Sequence, residues 1–262
     1  MASDPLAPRT DLRARVRAGE ITFGAFASVA SPTAAELMGR SGLDWVILDL
    51  EHSTLTETDL LAGVYAMQST PATALVRVEE STRLRIGRAL DYGAEGLMIP
   101  RLETPAEVRA AIDWFRFPPA GIRGIALSTR GAGMSEVAHA DIHRLNARPL
   151  GVFQVESPLA VANAAEIAAI DGVDVLFVGP ADLSHAMGIP GEITNPDFIK
   201  ALATVAAACH ANGKAAGILL RGAADVARHV AIGYSFLGIG SDGGWVRDGA
   251  RATVSAARAS LA

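Results

Sequence analysis

Short apolar runs alternate with longer segments of helical periodicity along the whole chain. The β-type runs fall at 23–28, 45–50, 72–78, 96–99, 150–155, 173–178, 214–219 and 236–239. Helix-like segments occupy 33–41, 57–68, 83–92, 105–115, 160–170, 196–211, 223–232 and 244–261. The strands are continuous apolar stretches, such as Val46-Ile47-Leu48 and Val175-Leu176-Phe177-Val178, as expected for parallel strands buried on both faces. Ser31-Pro32 and Asn195-Pro196 each place a capping side chain before a first-turn proline. Thr104-Pro105-Ala106-Glu107 adds a glutamate three residues after the cap. Gly42, Gly93, Gly172, Gly213 and Gly233 close helices. Eight strands and eight helices in alternation predict an α/β fold, a (β/α)8 TIM barrel. An open doubly wound sheet is the alternative.

The chain has 262 residues, which suits one barrel domain over 1–262 with a short N-terminal extension at about 1–20. Half of the residues are hydrophobic, enough for a large core. A net charge of −5 argues against a nucleic-acid partner, which needs clustered Lys and Arg. No basic amphipathic stretch and no run of membrane-spanning length is present, so no membrane partner is expected. The single cysteine, Cys209, excludes an internal disulfide and lies in an alanine-rich helical pattern as a small core residue. Residues 1–17 contain no apolar signal-peptide core, so a cytoplasmic location is expected.

In a barrel of this kind the C-terminal ends of the strands carry the chemistry. Strand two ends in Asp49-Leu50-Glu51-His52, strand three in Arg77, and strand four in Pro100-Arg101. Strand five ends in Gln154-Val155-Glu156, strand six in Gly179-Pro180-Ala181-Asp182, and strand seven at Leu219. Glu156 and Asp182 together suit a hard divalent cation, which takes one or two carboxylates plus waters and substrate oxygens. Capping of the following helices is the competing role. Asp49 and His52 form a candidate acid–base pair in which the carboxylate orients the imidazole; a solvent-facing loop position is the plain alternative for His52. Arg77 offers a fixed fork of donors to a carboxylate or enolate, or else a structural pair with Asp49 or Glu51.

Arginine is used 21 times and lysine twice. Lys214 opens strand seven at the wrong end and Lys200 falls in a helix, so an imine mechanism has no lysine to use. The long 116–149 connection predicts an active-site cover or a subunit contact. The glycine-rich stretch 238–244 reads as a loop whose amides suit phosphate, which Asp242 opposes.

Several collinear segments resemble the HpcH/HpaI family of class II pyruvate aldolases. They are Asp44-Trp45-Val46-Ile47-Leu48-Asp49-Leu50-Glu51-His52, Val76-Arg77-Val78 and the run from Ala89 to Pro100. Phe117-Pro118-Pro119-Ala120-Gly121-Ile122-Arg123-Gly124, Gln154-Val155-Glu156-Ser157 and Val178-Gly179-Pro180-Ala181-Asp182-Leu183-Ser184 complete the set. The resemblance implies a barrel of the phosphoenolpyruvate/pyruvate-binding type and a Mg²⁺, Mn²⁺ or Co²⁺ ion on Glu156 and Asp182. It implies that Arg77, Gln154, Pro180, Ala181 and Leu219 contact substrate. His52, supported by Asp49, would handle the proton of the aldol hydroxyl, with Glu51 holding a water of the ion. It further implies a homohexamer, a trimer of dimers, with the C-terminal helix exchanged between subunits. The family pattern departs at Phe26, at Arg101 and after Gly124, positions that border the aldehyde end of the pocket.

The expected reaction is reversible cleavage of a 4-hydroxy-2-oxo acid to pyruvate, or a related 2-oxo acid, and an aldehyde. A citrate-synthase/lyase-like enzyme acting on oxaloacetate and a thioester is the rival, with the 116–149 connection available to serve it. A non-catalytic carboxylate-binding barrel is a third reading, and its mark would be loss of a metal carboxylate.

Overall fold

A computed structural model of the chain describes residues 6–261. Eight parallel strands close into a barrel in sequence order: β1 (Thr22–Ala27), β2 (Trp45–Asp49), β3 (Thr73–Arg77), β4 (Gly96–Ile99), β5 (Leu150–Val155), β6 (Val175–Val178), β7 (Ala215–Leu219) and β8 (Tyr234–Ser241). Pairing of β8 with β1 completes the ring and rules out the open sheet. The helices are α1 (Leu12–Arg17), α2 (Pro32–Gly39), α3 (Glu57–Met67), α4 (Arg83–Asp91), α5 (Pro105–Phe115), α6 (Pro158–Ala162), α7 (Ala164–Ala168), α8 (Pro180–Ala186), α9 (Pro196–Ala211), α10 (Val226–Ile232) and α11 (Asp242–Ala259).

Strand periodicity sorts the side chains. Trp45, Ile47, Leu75, Met98, Val152, Phe177 and Phe236 fill the barrel interior, while Val46, Leu48, Val76, Leu97 and Val178 pack outward under the helices. The interior is aromatic: Trp45 and Phe236 stack with ring centres 4.2 Å apart. Gly24 permits this, because a Cβ there would lie 1.9 Å from the Trp45 ring. Each such fully buried large side chain contributes roughly 2–3 kcal/mol of transfer free energy. The same alternation carries on to the polar ends, so Asp49, Arg77 and Gln154 fall on the inward face of their strands.

Eight helices were expected from periodicity, and the described residues form eleven. The segment 160–170 breaks at Asn163, whose amide donates to the Glu103 carbonyl at 2.8 Å, giving α6 and α7. The strand-six tip begins a short helix of its own, α8, with proline in its first turn. The stretch 238–244 is not a loop: β8 runs to Ser241 and α11 starts at Asp242. Both Asp242 carboxylate oxygens accept backbone N–H groups, from Ser28 at 2.8 Å and Val29 at 3.0 Å, so this acid ties the exit of β1 to α11.

The N-terminal extension closes the lower end of the barrel. Leu12 and Val16 of α1 join the interior cluster. Arg13 and Arg17 both pair with buried Asp174, at 2.9 and 2.8 Å, and Arg9 pairs with Glu95 at 2.6 Å.

The 116–149 connection also sits at this lower end. Arg123 reaches Asp91 at the end of α4, and Arg130 reaches Gln68 just past α3. A small core of Phe117, Ala132, Val137, Ile142 and Leu145 supports it. The expectation that it covers the site is therefore wrong for its own chain. A connection from a helix back to the next strand emerges at the N-terminal face, opposite the strand tips.

Candidate functional site

Asp49 and Arg77 stand side by side in the β2–β3 register. They form a two-pronged ion pair: Nε donates to Oδ1 at 2.8 Å and Nη2 to Oδ2 at 2.7 Å. Arg77 Nη1 faces Glu51 Oε2 at 3.2 Å. The guanidinium lies over the Phe26 ring, 5.0 Å from its centre. Burial alone would lower the Arg77 pKa; hydrogen bonding to Asp49 and the charges of Asp49, Glu51 and Glu156 outweigh it and raise it. A guanidinium has five N–H donors, and the two hydrogen bonds to Asp49 leave the terminal nitrogens with further N–H groups for a ligand.

The expected Asp49–His52 pair does not form. Asp49 turns inward to Arg77, and its Oδ1 also accepts the backbone N–H groups of Glu51 and His52 at 3.0 and 3.4 Å. The imidazole of His52 is 64% exposed at the rim, and its Nε2 lies 3.7 Å from Glu51 Oε1. The physical reason is alternation: the strand directs Asp49 inward, while His52 lies three residues on, after the chain has turned outward.

Glu156 and Asp182 converge as expected. They line a cavity of about 430 Å³ with Arg101, Glu103, Ser157 and Ala186. Burial, with Asp182 and Glu51 nearby, pushes the Glu156 carboxyl up to about 7. Burial also raises Glu51, against the pull of Arg77 and His52. Gln154 Nε2 donates to Glu156 Oε1 at 2.6 Å. Its Oε1 is buried without a hydrogen-bond partner, and so is Glu51 Oε2. Gly179 lets Glu156 approach the β6 exit, since a Cβ there would lie 2.7 Å from its Oε1.

Pro180 and Ala181 open α8 beside Asp182, and Leu219 ends β7, half exposed; none of the three lines this cavity. Glu103 was not anticipated. It lies beyond the strand-four tip, and nothing in its spacing marks it.

A second cavity, of about 440 Å³, lies at the opposite end between α1 and the 116–149 connection. Of its arginines, Arg9, Arg13, Arg17 and Arg123 are paired with Glu95, Asp174 and Asp91. Its charges hold the barrel floor together.

A closed barrel with acidic and basic groups gathered at its strand tips defines an enzyme of the (β/α)8 class. Residues 22–249 match the family described as HpcH/HpaI aldolase/citrate lyase, and the chain belongs to that family. It is a carbon–carbon lyase of the aldolase type. It is 34% identical over 260 residues to the hydroxypyruvate/pyruvate aldolase of Delftia acidovorans, covering 97% of this chain and 95% of that one. It is 37% identical over 232 residues to the 5-keto-4-deoxy-D-glucarate aldolase of Salmonella arizonae, covering 88% and 90%. A crystal structure of an HpcH/HpaI aldolase/citrate lyase family protein from Burkholderia cenocepacia superposes with a TM-score of 0.90 at 34% identity, covering 95% and 99%. Among the described residues, no helix is long and apolar enough to cross a membrane.

Proposed function

We propose that this enzyme cleaves a 4-hydroxy-2-oxo acid reversibly into pyruvate, or a close 2-oxo acid, and an aldehyde. The observation that carries the reading is the carboxylate cluster at Glu156. Burial beside a second carboxylate raises Glu156 to about 7, and a cation placed between the two acids would relieve that repulsion. The donor set is all oxygen, with two acids and an orphaned amide oxygen at Gln154, and it suits Mg²⁺, Mn²⁺ or Co²⁺ on Glu156 and Asp182. When bound, such an ion supplies Lewis acidity toward the 2-oxo group.

The chain's own groups do the rest. Arg77, locked by Asp49 and flanked by Glu51, turns its remaining N–H groups toward the developing enolate and stabilises its charge. Gln154 fixes the Glu156 carboxylate through Nε2 and has a second N–H on that nitrogen for the 2-oxo acid. The backbone N–H groups of Ala181 and Asp182 at the start of α8, where Gly179 supplies no side-chain cap, receive the substrate carboxylate. Leu219 borders the aldehyde side. His52 at the rim removes the 4-hydroxyl proton; the C3–C4 bond breaks, the aldehyde leaves, and C3 of the enolate takes up a proton to give pyruvate. Glu51, nearer to the imidazole than Asp49, balances the charge that His52 gains.

The citrate-synthase-like rival loses the connection expected to serve it, which lies at the other end of the barrel, and the curated relatives named aldolases favour the cleavage reading. Trp245, Val246 and Val254 of α11 are exposed, which fits a helix covered by another copy in a homohexamer. The buried free thiol of Cys209 suits a reducing cytoplasm.

The test is pyruvate release across a panel of hydroxy-oxo acids. Activity should vanish in EDTA and return with Mg²⁺, Mn²⁺ or Co²⁺. Release that persists undiminished in chelator, or binding of oxo acids with no turnover on any metal, would sink the reading.

A further inference from the structure

The cavity at the lower end, between α1 and the 116–149 connection, is dominated by one sign of charge. Among its described lining residues arginines outnumber carboxylates seven to two, the acids being Asp11 and Glu95. On the α1 side that charge is matched: Arg13 and Arg17 share Asp174, and Arg9 holds Glu95. On the facing wall it is not. Arg123 is 5% exposed and donates from Nη2 to Asp91 at 2.6 Å, but its Nε is buried without a hydrogen-bond partner. Burial lowers its pKa in spite of Asp91. Arg130 forms no salt bridge among the described residues. Its Nη1 donates to the neutral Gln68 Oε1 at 3.0 Å, its guanidinium lies 4.1 Å from the centre of the Tyr65 ring, and its Nε is again buried without a partner.

The two arginines meet at one wall. A Cβ at Gly131 would lie 3.2 Å from Arg123 Nη2, so that guanidinium packs against the residue following Arg130. A buried N–H without an acceptor costs free energy until one arrives. Two of them, on neighbouring cations beside a cavity of about 440 Å³, call for anionic oxygens. The cavity also has an apolar lining in Leu12, Leu90, Leu145 and Leu150. A bare inorganic anion leaves that surface without a partner, whereas an anion on a short apolar body covers both.

We propose that this cavity is a binding site for a small organic anion, a carboxylate or phosphate monoester carrying a short apolar chain, separate from the strand-tip site. Arg123 and Arg130 hold its anionic oxygens through their Nε groups, and its chain lies against the leucines. Such a ligand bridges the N-terminal extension and the 116–149 connection, so its binding stabilises the barrel floor by mass action.

The test is calorimetric titration of the whole chain, in chelator, with hexyl phosphate, hexanoate, inorganic phosphate and 1-hexanol. At least one of the two hexyl anions should bind saturably with a Kd of about 1 mM or tighter, and about tenfold or more tighter than inorganic phosphate or hexanol. The tighter of the two identifies the anionic group. Arg123→Gln and Arg130→Gln should each weaken that binding by about 10- to 100-fold, the range of one charged hydrogen-bonded contact. Arg130 pairs with no acid, so its variant carries the test even where Arg123→Gln fails to fold. Arg101→Gln, which alters the strand-tip cavity, should leave the affinity unchanged. No saturable binding of either hexyl anion, hexanol or inorganic phosphate binding as tightly, or an affinity that ignores Arg130→Gln or drops in Arg101→Gln, overturns the proposal.

Discussion

Asp174 and Glu156 are acids at opposite ends of one barrel, and they sit in opposite electrostatic conditions. Asp174 accepts from Arg13, Arg17 and the Gly151 N–H, all at 2.8–2.9 Å. Glu156 has one amide donor, from Gln154, and faces Asp182 and Glu51 across a cavity. Saturated charge at the floor of the barrel stabilises the fold. Unsaturated charge at the mouth costs stability until a cation or substrate arrives. The difference separates scaffold from site without reference to any relative.

Arg77 is where the two kinds of role meet, and its removal should have the largest effect. Arg77→Ala should lower kcat by about two to three decades through lost enolate stabilisation. It should also cost about 3–5 kcal/mol in denaturant unfolding, since Asp49 is left buried and unpaired. Near-normal turnover would make Arg77 part of the scaffold and break the comparison at its centre. At the floor, Asp174→Asn should cost about 2–4 kcal/mol of stability, because two arginines and a buried N–H lose their acceptor. Its turnover per folded molecule should stay within about twofold of the wild type. A large loss of turnover would mean that the floor also shapes the site.

His52→Ala sharpens the picture of the rim. Aldol cleavage should fall by about two decades, while exchange of the pyruvate methyl protons should fall far less. Equal loss of both would assign the hydroxyl proton to a different base.

The smallest effect is one of pH. From the ordinary value of 4.5 up to about 7, folded Glu156 keeps a proton that the unfolded chain has released. Stability in chelator should therefore fall as pH rises through that window, by about 2 kcal/mol between pH 5 and 8 after discounting for its partial exposure. Glu156→Gln should flatten the slope, and Mn²⁺ should reverse it in the wild type by binding the ionised form. A slope equally steep in the Gln variant would show that Glu156 is not the group responsible.

Much of this molecule was legible in the sequence because the barrel repeats a local rule. Apolar runs such as Val175-Leu176-Phe177-Val178 must be buried on both faces, and helices such as α5 announce themselves by the capping box at Thr104 and Glu107. Eight such units leave ring closure as the compact solution. The strand tips followed from the same rule, which brought Glu156 next to Asp182 although 26 residues separate them.

What spacing could not supply was direction and partnership. Asp49 and His52 are three residues apart and look like a pair, yet alternation turns Asp49 inward to Arg77, an in-register neighbour 28 residues away. The 116–149 connection looks like a lid until topology puts it under the floor. Asp242, which reads as a repellent in a phosphate loop, is an anchor for the β1 exit. Local chemistry and periodicity therefore determined which elements form and which residues reach the mouth. Only the closed barrel decided which charges are neutralised there, because that depends on neighbours brought together by register across strands.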